Sequence, residues 1–179
     1  TNNTTTRVSV ATNGDQANGQ CGRVARISGD GTVIAFTCAA SSLGGNSNGT
    51  FDTFVYNRAT HTTTLVELDG GESVVLARDG RFVATHDALV DLVTGTTQAV
   101  GADSLSHDGG YRTLGSALYD VSTQTSVDVC KDIAGNAPPT PCRDLRVADD
   151  GDAVIFTSDW DLTVSPPSYR GATLFRARR

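Results

Sequence analysis

An Asp-Gly dipeptide between two short apolar runs occurs four times in this chain, and this repeat is the feature that most constrains its fold. The copies stand in four similar stretches: ISGDGTVIAF (27–36), LARDGRFVAT (76–85), LSHDGGYRTL (105–114) and VADDGDAVIF (147–156). Asp-Gly between alternating runs predicts a tight β-hairpin, because Gly accepts the positive φ angle that such turns need. Repetition at intervals of this length predicts repeated β-sheet units.

Each hairpin is followed by two further strand-like segments. The third strands are predicted at DTFVYNR, ALVDLVT, SALYDVS and ATLFRARR, and the fourth strands at HTTTLVEL, GTTQAV, QTSVDV and, at the start of the chain, TTTRVSV (4–10). Because the chain ends on a third strand and begins on a fourth, we expect the N-terminal strand to close the last sheet. This pattern predicts an all-β fold, a four-bladed β-propeller of four-stranded antiparallel blades. The predicted single domain, 1–179, comprises blades at 20–68, 69–100, 101–129 and 140–179 plus 4–10.

Composition narrows the classes of function. A chain of 179 residues suits one domain with a continuous core. The net charge is −6, and the basic residues are scattered among carboxylates, which argues against nucleic acid as a partner. No apolar run approaches the roughly 20 residues that cross a bilayer, so membrane insertion is not expected.

Four cysteines without CxxC spacing favour disulfides over a zinc site. The turn at residues 28–31 sets a register in which Cys21 faces Cys38 across the first hairpin. Cys130 and Cys142 bracket a Gly- and Pro-rich loop that a second bridge would clamp. Two disulfides, Cys21–Cys38 and Cys130–Cys142, predict an oxidising location, either secreted, periplasmic or at the cell surface.

A family resemblance is carried by the first blade. The string TFDTFVYNRATHTTTLVEL, preceded by SGDGTVIAFTCAASSLGGNSNG, resembles the TolB-like family of bacterial WD-repeat-like propellers. Blades of that family carry an Asp-Gly hairpin, an aliphatic strand ending in Phe-Thr-Ser and a D-x-F-V-x-(D/N) strand. The resemblance is close over residues 20–68 and recognisable over 144–179, although the family's Pro before Asp-Gly is absent from every copy. It implies a propeller with protein partners at the cell envelope.

The long loops are predicted to share one face of the propeller, and they point to a recognition surface there. They span residues 11–20, 39–51, 130–143 and 158–171. Aromatic side chains with polar neighbours make good anchors for a protein or sugar. The predicted binding residues are Trp160, Tyr169, Asp159, Asp161, Asn46 and Asn48. The alternative for Trp160 is that it folds back and fills the loop or the ring.

The sequence supports a metal site or a catalytic site less strongly than it supports a recognition surface. The loop GGNSNGTFD resembles a calcium loop with Asn46, Asn48 and Asp52 as ligands, but only one of these carries charge, so a metal-free Asx-rich turn is the better interpretation. No other cofactor is predicted. The three histidines, His61, His86 and His107, occupy different places in their repeats, which disfavours a metal triad or a Ser-His-Asp set.

These observations predict a non-catalytic binding or scaffold module that recognises a protein partner, or a carbohydrate, through the long-loop face. A structural alternative is self-assembly, in which the N-terminal strand completes the last blade of a neighbouring chain. An enzymatic alternative is a propeller hydrolase or lyase that uses the carboxylates of Asp87, Asp159 and Asp161.

Overall fold

The predicted all-β fold is confirmed by a computed structural model, which describes residues 4–44, 48–69 and 73–178. Within these ranges the chain forms fifteen β-strands and one 3₁₀ turn, Ser41–Leu43. The strands group into four antiparallel sheets of three or four strands that resemble propeller blades. The chain divides into two compact units, Thr1–Val100 and Gly101–Arg179, and each unit contains two blades.

Unit 1 contains blades 1 and 2, each with four strands in sequential order. Blade 1 consists of β1 (Cys21–Ile27), β2 (Val33–Cys38), β3 (Asp52–Asn57) and β4 (Thr62–Glu67). Blade 2 consists of β5 (Val75–Leu76), β6 (Phe82–Ala84), β7 (Leu89–Asp91) and β8 (Thr97–Gln98). The short middle blade at 69–100 therefore holds four strands, although two of them have only two residues.

Unit 2 contains blades 3 and 4. Blade 3 consists of β9 (Ser104–Leu105), β10 (Tyr111–Leu114), β11 (Ala117–Asp120) and β12 (Thr125–Asp128). Blade 4 consists of β13 (Arg143–Val147), β14 (Ala153–Asp161) and β15 (Ser168–Arg178). The sheet of blade 4 has three strands among the residues that the structure describes. Its completion by residues 4–10 stays a prediction.

The Asp-Gly turns form the four predicted hairpins, and a serine reinforces two of them. Ser28 Oγ donates to Asp30 at 2.6 Å and accepts the Val33 N–H at 2.9 Å. Ser106 Oγ makes the same two bonds, to Asp108 and from the N–H of Tyr111. These hydroxyl groups satisfy turn atoms that the strand ladder leaves unpaired.

In blades 1 to 3, the turns between the third and fourth strands are held by a different hydrogen-bond pattern. A side-chain oxygen of Asn57, Asp91 or Asp120 accepts two backbone N–H groups from residues two and three positions further along the chain. This Asx arrangement reverses the chain without a long loop. It explains how blades 2 and 3 fit four strands into about thirty residues each.

Both predicted disulfides are present. Cys21 and Cys38 are register partners on β1 and β2 with a Cα–Cα distance of 4.0 Å. Cys130 and Cys142 close the loop before β13, with a Cα–Cα distance of 5.8 Å, and both are buried. Such bridges are typical of proteins in an oxidising, extracytoplasmic compartment.

The core of unit 1 also holds the N-terminal segment. Val8 and Val10 pack against a cluster of blade 1 that includes Phe36 and Phe54. The hydroxyl group of Thr63 donates to the carbonyl oxygen of Val10 at 2.5 Å. The segment that the sequence predicts as a fourth strand of blade 4 therefore has its apolar side chains against blade 1.

Candidate functional site

The candidate site in unit 2 is the end of the β14–β15 hairpin, which is longer than the sequence predicts. Residues 158–171 were expected to form a loop, but β14 continues to Asp161 and β15 begins at Ser168. Trp160 and Tyr169 are register partners in this extension. Aromatic cross-strand pairs stabilise antiparallel sheets, which explains why the strands continue beyond the blade.

The two predicted aromatic residues contact each other directly. Their ring centroids lie 5.8 Å apart, with an edge-on angle of 78°. Trp160 is half-buried against the unit 2 core, and its Nε1–H donates to Thr140 Oγ1 at 3.0 Å. Tyr169 is 70% exposed. Trp160 therefore acts as the support of the pair, and Tyr169 presents its surface to solvent.

The two predicted carboxylates flank this pair, and each faces an arginine. Asp159 Oδ1 accepts from Arg143 Nη2 at 2.8 Å, and Asp161 Oδ2 lies 3.7 Å from Arg170 Nε. The hydroxyl and backbone N–H of Thr163 lower the pKa of Asp161, with a smaller contribution from the charge of Arg170. Asp161 is therefore suited to holding a negative charge on the hairpin, and Asp159 forms an ion pair with Arg143.

The disulfide-closed loop 130–142 packs beside the hairpin. The Ile133 N–H donates to the Leu162 carbonyl at 3.2 Å, and Asn136 Nδ2 donates to Ser165 Oγ at 3.1 Å. Two of the loops that the sequence assigned to one face thus lie side by side within unit 2. Ile133 is 75% exposed on this loop.

The conformation of this loop depends on Asp132. Burial raises the pKa of Asp132, but hydrogen bonds from the Asn136 side chain and from backbone N–H groups outweigh this effect and lower it to about 2. The ionised carboxylate holds a tight turn over residues 132–136. The loop is therefore held by the disulfide between its two ends and by the turn over residues 132–136.

The predicted Asn-rich site lies in unit 1, and Asn46 falls outside the described residues. Asn48 Nδ2 donates to Asp69 Oδ1 at 2.9 Å, while Asn48 Oδ1 accepts from the backbone N–H of Thr50. Asp52 is fully buried and accepts the Asp69 N–H at 2.9 Å. Among the described residues no group of three His, Cys, Asp or Glu side chains is placed to hold a metal ion.

The three histidines lie on separate elements, and the third predicted carboxylate, Asp87, is adjacent to one of them. His61 Nδ1 lies 3.0 Å from the Tyr56 hydroxyl oxygen at a turn of blade 1, whereas His107 lies in the hairpin turn of blade 3. His86 is 3.9 Å from Asp87, and both side chains are largely exposed. The structure brings Asp159 and Asp161 together on β14, while Asp87 belongs to unit 1.

Sequence reasoning missed the polar partners of the aromatic pair. Thr140 and Arg143 are sixteen or more residues before the groups they contact, Trp160 and Asp159. No local pattern connects positions so far apart. The spacing of Asp161 and Thr163 was a usable signal, because an Asx turn joins residues two apart.

Comparison with known proteins gives a likeness of fold only. No family model and no curated protein matches the chain. The β-propeller domain of the Trilobed protease from Pyrococcus furiosus matches with a TM-score of 0.55 and 9% identity over 90% of this chain and 55% of that chain. That propeller domain has an open velcro topology. At this identity the likeness shows a β-propeller-like architecture and nothing about activity.

Two other solved structures match less well. Hydrazine synthase of Kuenenia stuttgartiensis has a TM-score of 0.44 and 16% identity, over 75% of this chain and 41% of that one. Acylaminoacyl peptidase of Pyrococcus horikoshii has a TM-score of 0.31 and 10% identity, over 78% and 17%. The chain thus spans about half or less of the length of these proteins.

The location of the protein is constrained by its disulfides, which suggest an oxidising, extracytoplasmic compartment. In the part of the chain that the structure describes, no helix has the length and apolar character to span a membrane.

Proposed function

We propose that this protein is a non-catalytic binding module, secreted or held at the cell envelope, and that its ligand contacts the end of the β14–β15 hairpin. The observation that carries the proposal is the exposure of Tyr169 on a rigid support. Tyr169 is 70% exposed, yet its ring is held against Trp160, which is itself fixed by Thr140. A fixed, exposed aromatic ring loses little conformational entropy when a ligand covers it.

A protein is the partner that this surface fits best. An exposed tyrosine and an exposed isoleucine, Ile133, supply apolar contact area, and the carboxylate of Asp159 and guanidinium of Arg170 supply charged groups of both signs. Aromatic anchors with a polar rim are typical of protein interfaces. A carbohydrate is the second class of ligand that stacks on such a ring. The fold resemblance to propellers is consistent with a scaffold role but does not identify the partner.

The proposal is tested by affinity capture from an envelope extract of the source organism. The wild-type chain is compared with Tyr169→Ala, and bound proteins are identified by mass spectrometry. Leu174→Ala is the matched control, because Leu174 is 67% exposed on the same strand but lies outside the aromatic pair. We expect a captured partner to be lost with Tyr169→Ala and kept with Leu174→Ala.

The negative results are also informative. A partner that stays bound to both variants would contradict the hairpin as the binding site. A surface that captures no protein, but retains a glycan on an array in a Tyr169-dependent way, would assign the site to carbohydrate instead.

The open edge of blade 4 allows two arrangements of residues 4–10, closure within the chain or assembly between chains, and assembly is the second candidate function. Among the residues that the structure describes, no fourth strand pairs with the outer edge of β15, whereas β4, β8 and β12 fill this place in the other blades. Residues 4–10 have the sequence pattern of such a strand, and an exposed strand edge accepts an added strand through backbone hydrogen bonds. We propose that residues 4–10 of the same chain close the fourth blade of a four-bladed ring. Donation by a neighbouring chain is the alternative.

A further inference from the structure

Each unit contains a cavity between its two blades, and equivalent residues line the two cavities. The cavity of unit 2 has a volume of about 240 Å³, and that of unit 1 about 470 Å³. Counting from the aligned Asp-Gly turns, the wall formed by blade 3 corresponds to the wall formed by blade 1. The equivalent pairs are Tyr111 and Val33, Leu118 and Val55, Val127 and Thr64, and Val129 and Val66.

The differences between these pairs make the unit 2 cavity smaller and more apolar. Tyr111 and Leu118 are larger than their counterparts, and Val127 replaces the hydroxyl of Thr64 with a methyl group. Blade 4 completes the wall with Val154 and Ala177. The larger cavity of unit 1 carries more polar groups in its lining, which is the kind of surface that water occupies.

Two polar side chains in the lining of the unit 2 cavity, Asp120 and Thr125, are engaged within the protein. Asp120 Oδ1 accepts the backbone N–H groups of Ser122 and Thr123, and the Thr125 hydroxyl lies 2.8 Å from the Thr123 hydroxyl. A ligand in this cavity therefore meets mainly carbon atoms. An apolar cavity of about 150 Å³ is large enough to hold a benzene molecule.

We propose that the cavity between blades 3 and 4 binds a small apolar molecule with a single aromatic ring. Val127 is 61% exposed and lies at the mouth of the cavity, which gives such a molecule a route from solvent. The cavity is lined by the other end of the β14–β15 hairpin, through Val154 and Ala177, and its lining includes neither Trp160 nor Tyr169.

The experiment is a titration of the intact chain with toluene, followed by the NMR shifts of methyl groups. We expect saturable shifts at the methyl groups of Leu118, Val127, Val129 and Val154. The Val127→Phe variant places a ring in the cavity from its exposed mouth, and it should weaken toluene binding by about tenfold or more. Thr64→Phe, at the equivalent position of unit 1, is the matched control and should leave binding unchanged.

A second variant keeps the test valid if Val127→Phe perturbs the fold. Ala177→Leu fills the same cavity from the opposite wall and should also weaken the shifts. The proposal is overturned if the shifts at the four methyl groups do not saturate, or if Thr64→Phe weakens binding as much as Val127→Phe does. Equal shifts at Val55, Val66 and Val90 of the unit 1 cavity would also overturn it, since they would indicate unspecific partitioning.

Discussion

Glycine in an Asp-Gly turn is needed either for its positive φ angle or for the space that its missing Cβ atom leaves. Gly151 is needed for both reasons. Its φ angle is +74°, and a Cβ atom added there would lie 1.8 Å from Tyr111 Cδ2. We expect Gly151→Ala to lower the free energy of unfolding by roughly 2 to 4 kcal/mol, because it adds both backbone strain and a clash with a core ring. Urea denaturation measures this change.

The control for Gly151 is Gly135→Ala. Gly135 has a similar φ angle, +87°, but no heavy atom within 4 Å of an added Cβ. It should cost only about 1 kcal/mol, the strain of the backbone alone. Equal losses for the two variants would contradict the packing of Tyr111 against the turn of blade 4.

An ion pair in blade 2, between Arg81 and Asp91, predicts that the folded protein loses stability in acid. The guanidinium of Arg81 donates to both carboxylate oxygens of Asp91, and this interaction lowers the pKa of Asp91 well below its ordinary 3.8. A lowered pKa means that the stabilisation is present above pH 3.8 and is lost as the pH falls through the native value.

The measurement is thermal unfolding of the wild type and of Asp91→Asn at several pH values. The variant should melt at a lower temperature at pH 7, and the difference should shrink as the pH falls below 3.8. Asp87→Asn is the control, since the Asp87 side chain is 81% exposed and should show little effect. A difference for Asp91→Asn that is constant from pH 7 down to acid would contradict this role.

At the residue scale, the sequence predicted those site residues whose type alone is informative. Trp160 was identified as the only tryptophan, between two carboxylates, and Tyr169 as an aromatic residue near the other end of the same predicted loop. The structure places their rings in contact. Their dependence on Thr140 was beyond prediction, because it arises from the path of a separate loop. Whether a ligand uses these residues stays a prediction.

Among the elements, the loop 130–142 is closed at its ends by the Cys130–Cys142 disulfide. We expect the double substitution of Cys130 and Cys142 by Ser to lower stability by about 3 kcal/mol in the chain-entropy model of disulfides. Lys131 is the only lysine of the chain and lies exposed in this loop. Endoproteinase Lys-C should therefore cut the variant faster than the wild type, at one site.

A matched control comes from the other disulfide. Substituting Cys21 and Cys38 by Ser removes a bridge from unit 1 and leaves the loop around Lys131 closed. Cleavage after Lys131 should then remain close to the wild-type rate under native conditions. If both double variants are cut equally fast, the second disulfide is not what holds this loop.

The strands and turns were predicted correctly where residues close together in the sequence determine the local structure. The Asp-Gly turns fixed the hairpins, and the register that they impose placed Cys21 opposite Cys38. The extension of β14 and β15 was missed, because Ser-, Pro- and Gly-containing sequence around residues 163–171 is typical of loops. The strands persist there because Trp160 pairs with Tyr169, which is a contact between residues that sequence patterns do not join.

For the whole molecule, the fourfold repeat was enough to predict propeller-like blades but not whether residues 4–10 complete the last sheet. Four sheets of three or four strands follow from four copies of one β unit, and the fold resembles that of the Pyrococcus furiosus propeller domain. Completion depends on where residues 4–10 find a strand partner. An intramolecular and an intermolecular partner offer the same hydrogen bonds, so the pattern of the sequence favours neither.

The proposed closure of the fold by residues 4–10 of the same chain is tested most directly by the solution mass of the protein. Light scattering of the intact chain under non-reducing conditions, over a wide range of concentrations, should give a single species near the chain mass of 18.6 kDa. Such a monomer would leave residues 4–10 within their own chain and direct the search toward ligands of the Trp160–Tyr169 hairpin. A mass that grows with concentration to dimers and longer assemblies would contradict the account and assign the protein to assembly by strand donation.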